Sequence, residues 1–234
     1  MAIWYFITGL FRNLYIGVMR IFVKIRIYRH FPWFAYDPSG YQVKSVQIRK
    51  ALKHLEPGDV VCRYYTGFLD GCFIPGRFSH TGIYVGKDPN TGAELIIHAL
   101  GTGVQKIDVL DFLRCDGFAI LRPDNRTGAD GVRVTDKAVQ LAYQYLGYDY
   151  DFFFDICEDY RNKDEVQKRT RSVYCHELVR SCFPDLDIPT IQPVLWRGMI
   201  RSKKRQFLAQ SFFESPDFFL MYDSDYSDAR CEQK

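Results

Sequence analysis

No Cys-x-x-Cys pair occurs in this chain, although it carries seven cysteines (Cys62, Cys72, Cys115, Cys157, Cys175, Cys182 and Cys231). That removes the usual ribbon and finger zinc sites and the thioredoxin-type redox motif. An odd count in 234 residues is also no disulfide scaffold, so at least one thiol is expected free and a reducing compartment is the simpler reading. Strong charge is missing too. A formal charge of +3 and a pI near 8.4, with no basic stripe and no DNA-binding motif, exclude nucleic acid as a partner. There is no glycine-rich phosphate loop, and the glycines at 82, 86, 101 and 103 read as turn or packing residues. Nor does the apolar start of the chain span a bilayer: its longest charge-free run is 11 residues, where about 20 are needed.

What that first segment does have is one-sided charge. Residues 1–35 hold five Lys+Arg (Arg12, Arg20, Lys24, Arg26, Arg29) and no acid. On a helical wheel Arg12, Asn13, Arg20 and Lys24 fall within about 120°, with Trp4, Phe6, Leu10, Phe11 and Phe22 mostly elsewhere. This is the composition of an interfacial helix with its basic face toward anionic headgroups. Peripheral association with an anionic membrane, on the cytoplasmic side, is the expectation. A helix docked on the protein's own core or on a partner, and a signal anchor that tolerates Arg12, are the alternatives.

Beyond the FPWF and DPSG punctuation the pattern turns globular. VQIRKALKHLEPGD reads as a short helix closed by Pro57 and Gly58, then DVVCRYYTGF, SHTGIYVGK and GAELIIHALG as strands, the last two joined as a hairpin by DPNTG. GVQKIDV and DGFAILRP add two strands, and TDKAVQLAYQYLG and VYCHELVRSCF read as helices. Strands followed by helices give an α+β class, with an antiparallel sheet packed against helices. Nine charges in residues 158–172 mark a solvated loop or exposed helix. The limits are therefore a basic segment at 1–35, a domain at 41–210 and an acidic, aromatic tail at 211–234 with a disordered end.

Few residues can carry chemistry. Cys175 falls at a helix start, where unpaired N–H groups favour a thiolate. His80 and His98 lie on paired strands, so the hairpin can bring both imidazoles to one face. A thiol nucleophile, a base and a polar group that orients the base are what acyl transfer requires. Each has an ordinary alternative: a buried structural cysteine, as Cys182 is taken to be, or core histidines. His30 and His54 are read as incidental. At most one of Tyr64 and Tyr65 can point toward an oxyanion, because successive strand residues face opposite ways. Tyr174 and His176 are further candidates for substrate contact.

The strings GDVVCRYY (58–65), FSHTGIYVG (78–86), LIIHA (95–99), YLGYDYDFFF (145–154) and YCHELVRSCF (174–183) resemble the YiiX-type branch of the NlpC-like papain-fold cysteine hydrolases, which are circularly permuted so that His precedes Cys. The resemblance covers about residues 55–185. It implies a permuted papain-like fold, Cys175 as nucleophile, His80 as base and His98 as third residue; no cofactor is expected, and ligand spacing argues against a metal. His176 stands where a small residue is more usual, and the charged stretch before Cys175 has no counterpart in the motif. A cysteine amidase or peptidase acting through a thioester on a peptide or isopeptide is the first expectation. A lipid acyltransferase or phospholipase with the same triad, as in the related lecithin:retinol acyltransferase group, a non-catalytic interaction protein, and a metal site of His80, His98 and Cys175 are the competing ones.

Overall fold

The computed structural model describes residues 13–22, 25–27, 34–36, 41–67, 74–128, 130–152, 171–192, 194–195, 200–201 and 205–226. Residues 1–12, most of the charged stretch and the last residues of the tail lie outside them.

A helix α1 (residues 13–22) precedes the short antiparallel pair β1 (Ile25–Ile27) and β2 (Phe34–Tyr36). The domain follows with α2 (Ser45–Ala51), β3 (Val60–Tyr64), β4 (His80–Lys87), β5 (Glu94–Leu100), β6 (Gly103–Asp108), α3 (Val109–Phe112), β7 (Gly117–Pro123) and α4 (Val134–Gln144). Next come β8 (Asp149–Tyr150), β9 (Ser172–Val173), α5 (Cys175–Cys182), β10 (Val194–Leu195), β11 (Ile200–Arg201), α6 (Ala209–Glu214) and β12 (Phe218–Asp223). The class is α+β, as expected. Six strands form one antiparallel sheet in the order β12-β7-β3-β4-β5-β6. The parallel pair β8–β9 ties the end of α4 to the start of α5.

Both faces of the sheet are covered. Val60, Cys62, Ile83, Val85, Ile97 and Ala99 point toward α4, α5 and α6, and meet Ala138, Ala142, Leu178, Val179 and Phe212. Val61, Tyr84, Ile96, Phe118 and Ile120 point the other way, onto α2 and α3 through Ala51, Val109 and Phe112. Each fully buried Leu, Ile or Phe contributes roughly 2–3 kcal/mol, so two such layers hold β3 and β4 rigidly between them.

The tail differs from the sequence reading. Residues 209–214 are a helix and 218–223 an edge strand paired with β7. A bulge between Leu220 and Tyr222 is the reason the strand is hard to read: Phe218 packs with Phe183 and Phe212 on one face, and Tyr222 with Phe118 on the other. The extra residue breaks the alternation by which a strand announces itself.

One turn depends on glycine. Gly103 opens β6 at φ +106°, and a Cβ there would sit 2.6 Å from the Tyr148 carbonyl, which accepts from Val104 N–H. Gly103→Ala is expected to lower unfolding free energy by about 2–3 kcal/mol. Urea denaturation measures this, and a loss below about 0.5 kcal/mol would show that the turn relaxes freely.

Candidate active site

The β4–β5 hairpin builds one half of the site. Gly82 pairs with His98 and Arg63 with His80, so His80 and His98 share a face and Arg63 joins them from β3. Nε2 of His80 lies 2.9 Å from Nδ1 of His98, with both rings buried. Gly82 makes the approach possible, since a Cβ there would lie 2.5 Å from Ile96 Cγ2 and 3.2 Å from His98 Cβ. Phe112 of α3 closes the far side, its ring 5.7 Å from His80 and 5.5 Å from His98. Arg63 lies over Phe112 at 4.1 Å and donates to the Phe112 carbonyl at 2.7 Å. Among the described residues no carboxylate pairs with Arg63.

This environment keeps both imidazoles neutral. Burial, then the Arg63 charge, presses His98 down to about 3. Burial also presses His80 well below its ordinary range, assisted by the Arg63 charge and by the imidazoles of His98 and His176, which disfavour a second proton beside them.

Cys175 begins α5, the other half, with Tyr174 at the N-cap. Sγ lies 3.0 Å from Nδ1 of His176. It is also within hydrogen-bonding reach of the Thr81 and His176 N–H groups and the Tyr150 hydroxyl. The expectation of a thiolate favoured by the helix start needs correcting here. Those bonds do favour the anion, but burial outweighs them and pushes the thiol up to about 11. His176 is buried as well, which takes it down to about 3. The resting group is a thiol beside neutral imidazoles.

Two pairs are thus assembled, His80–His98 and Cys175–His176, and among the described residues no hydrogen bond joins them. Thr81, which follows His80 directly, brings them close: its N–H faces the thiol while His80 points to the α3 side of the sheet. Around them Arg63 Nε, Thr81 Oγ1, His98 Nε2 and His176 Nε2 are buried with no partner among the described residues. Such open valences gather where a substrate completes the bonding.

The tyrosine candidates have partners of their own. The Tyr64 hydroxyl donates to Asp225 at 2.9 Å, and the Tyr174 hydroxyl accepts from Phe207 N–H at 3.0 Å. The Tyr65 ring lies 5.7 Å from that of Tyr41, tilted against it, with the Arg63 guanidinium 5.1 Å from its centre. Tyr150 is the tyrosine at the thiol, and sequence reasoning missed it together with Arg63, Thr81 and Phe112. Counting register back from His80 would have found Arg63. Nothing local marks Tyr150. The four described cysteines, Cys62, Cys115, Cys175 and Cys182, are all free and buried.

A family model described as a permuted papain-like amidase enzyme, YaeF/YiiX, C92 family, matches residues 54–222. Among solved structures the chain is similar to the metalloprotein yiiX from Escherichia coli O157:H7, at 16% identity and a TM-score of 0.51, over 72% of this chain and 97% of that one. That likeness concerns the fold alone. No curated protein matches the chain.

Proposed function

The chain belongs to the C92 family of permuted papain-like amidases, and from that premise we propose that it is a cysteine amidase in which Cys175 is the nucleophile, His80 the base and His98 the residue that orients it. The observation that carries this reading is the buried His80–His98 bond at 2.9 Å, one residue along β4 from the backbone N–H that faces the thiol. With His80 Nε2–H donating to His98 Nδ1, the His80 Nδ1 is left unprotonated and able to accept.

The chemistry follows from the neutral resting state. In this reading the Sγ proton passes to His80 Nδ1, which has to meet the thiol across the start of β4, since His80 faces α3 and the imidazole beside Sγ is that of His176 at 3.0 Å. Sulfur bonds to the carbonyl carbon. The C–N bond then breaks, and the proton goes to the leaving amine. Water next gives a proton to His80 while its oxygen attacks the thioester; the C–S bond breaks and the proton returns to sulfur. The Thr81 N–H and the N–H groups at the start of α5 are donors suited to the developing oxyanion. The yiiX protein is described as a metalloprotein. Among the described residues of this chain no three His, Cys, Asp or Glu side chains gather to hold a metal ion.

Incubation with a peptide amide or activated ester, then acid quench and mass spectrometry, should find one acyl group on Cys175. Acylation of another residue, or none with either probe, would sink the proposal. Alkylation by iodoacetamide should be slow at neutral pH and quicken as pH rises toward the thiol's value of about 11, because the thiolate is the reacting form.

A further inference from the structure

Among the described residues, helix α1 meets the body through one side. Ile16, Met19 and Phe22 are half-buried, and Arg20 turns back so that its Nε donates to the Gly101 carbonyl at 3.1 Å in the β5–β6 turn. Arg20 stays exposed while making that bond. What faces outward is apolar: Leu14, Val18 and Ile21 are 63%, 55% and 59% exposed, at i, i+4 and i+7, within about 60° of one another. Isolated exposed apolar residues are ordinary, but a stripe of three along one helix is a contact surface.

We propose that this stripe docks the protein on an anionic bilayer. Charge complementarity selects that occupant. In sequence the helix is flanked by Arg12 and Lys24, with Arg26 and Arg29 following, and residues 1–35 contain no acid. Basic residues near a negatively charged surface add to the apolar contribution, and only their part is screened by salt. No described helix is long and apolar enough to cross a membrane. The anchor point lies close to the chemistry. Beside Gly101 is the Phe152 ring, which packs at 4.9 Å on Tyr150, the tyrosine whose hydroxyl reaches Cys175. Docking through α1 sets that side of the site against the lipid.

The test uses the full chain and vesicles of phosphatidylcholine with about one-third phosphatidylglycerol, against pure phosphatidylcholine, at low and high salt. Wild type should sediment with the anionic vesicles and less with neutral ones or in high salt. The Leu14→Ser, Val18→Ser, Ile21→Ser triple variant should bind at least about tenfold more weakly. Val18→Asp alone should weaken binding in the same direction. Equal binding by wild type and variants overturns the proposal. So does a wild-type dimer that the triple variant dissolves without vesicle binding, which would make a second copy the occupant. Loss of the native near-UV spectrum in both variants overturns it as well, because the stripe would then belong to the core.

Discussion

Cys175→Ala and His80→Ala are each expected to lower kcat/KM on an amide or ester substrate by at least about 10³-fold, with the fold retained. Nucleophile and base act as one unit, so the double variant should be no slower than either single one; their losses do not add. Alanine at 175 removes one sulfur from a buried position and leaves His176 Nδ1 without its neighbour. That costs stability, but the surrounding core from Leu178, Val179 and the sheet is untouched. At position 80 the substitution also frees His98 Nδ1, so circular dichroism and a His80→Gln variant separate lost chemistry from lost folding. His98→Ala should fall less, by about 10–100-fold, and His98→Gln should recover part of that, since an amide can still hold His80. Near-normal turnover by Cys175→Ala or His80→Ala would remove the proposed mechanism. Wild-type kcat and KM in His98→Ala would remove only its orienting role.

The second large effect is on stability, at Arg122. Asp59 is almost fully buried, and its carboxylate accepts from Arg122 Nε at 3.0 Å, Arg122 NH2 at 2.9 Å and Glu56 N–H at 2.9 Å. Burial raises its pKa, and the Arg122 bonds and charge oppose that rise. Arg122→Met leaves the carboxylate buried without its cation and should cost about 3–5 kcal/mol at neutral pH. The sign of the pH dependence follows. A carboxyl whose folded pKa lies above its unfolded one loses stability as pH rises through the folded value, and losing Arg122 moves that value higher. The deficit of the variant relative to wild type should therefore be largest near neutrality and shrink as acid protonates Asp59. Asp59→Asn in the Arg122→Met background should regain part of the loss. Denaturant titrations at the two pH values measure it; an equal deficit at both would show that packing, and not the stranded charge, is what Arg122 supplies.

The histidine half of the candidate site is legible in the sequence, and the surroundings of Cys175, the proposed nucleophile, much less so. FSHTGIYVG and LIIHA are short apolar runs on either side of a turn, and the only compact pairing puts His80 and His98 on one face. Cys175 is readable as a helix start from the spacing of Leu178, Val179 and Cys182 before Pro184. Its environment is not. A helix terminus argues for a thiolate, and only the sheet and α4 packed over α5 show that burial prevails. The Tyr64 hydroxyl goes to Asp225, 161 residues away, which no local pattern encodes. Edge strand β12 hides behind its bulge, and the bond from exposed Arg20 to a carbonyl of the β5–β6 turn, 81 residues away, is not encoded locally.

The order of these elements along the chain also bears on how the molecule reaches its native state. His80 and His98 are 18 residues apart within one hairpin, so their contact is local and closes early. Cys175 arrives only after β6, β7 and α4, through contacts of long sequence separation. A refolding or nascent chain therefore holds its imidazole pair before its sulfur is docked. During that interval Cys175 is an ordinary accessible thiol, more open to oxidation than in the finished protein, where the same sulfur is buried at the start of α5.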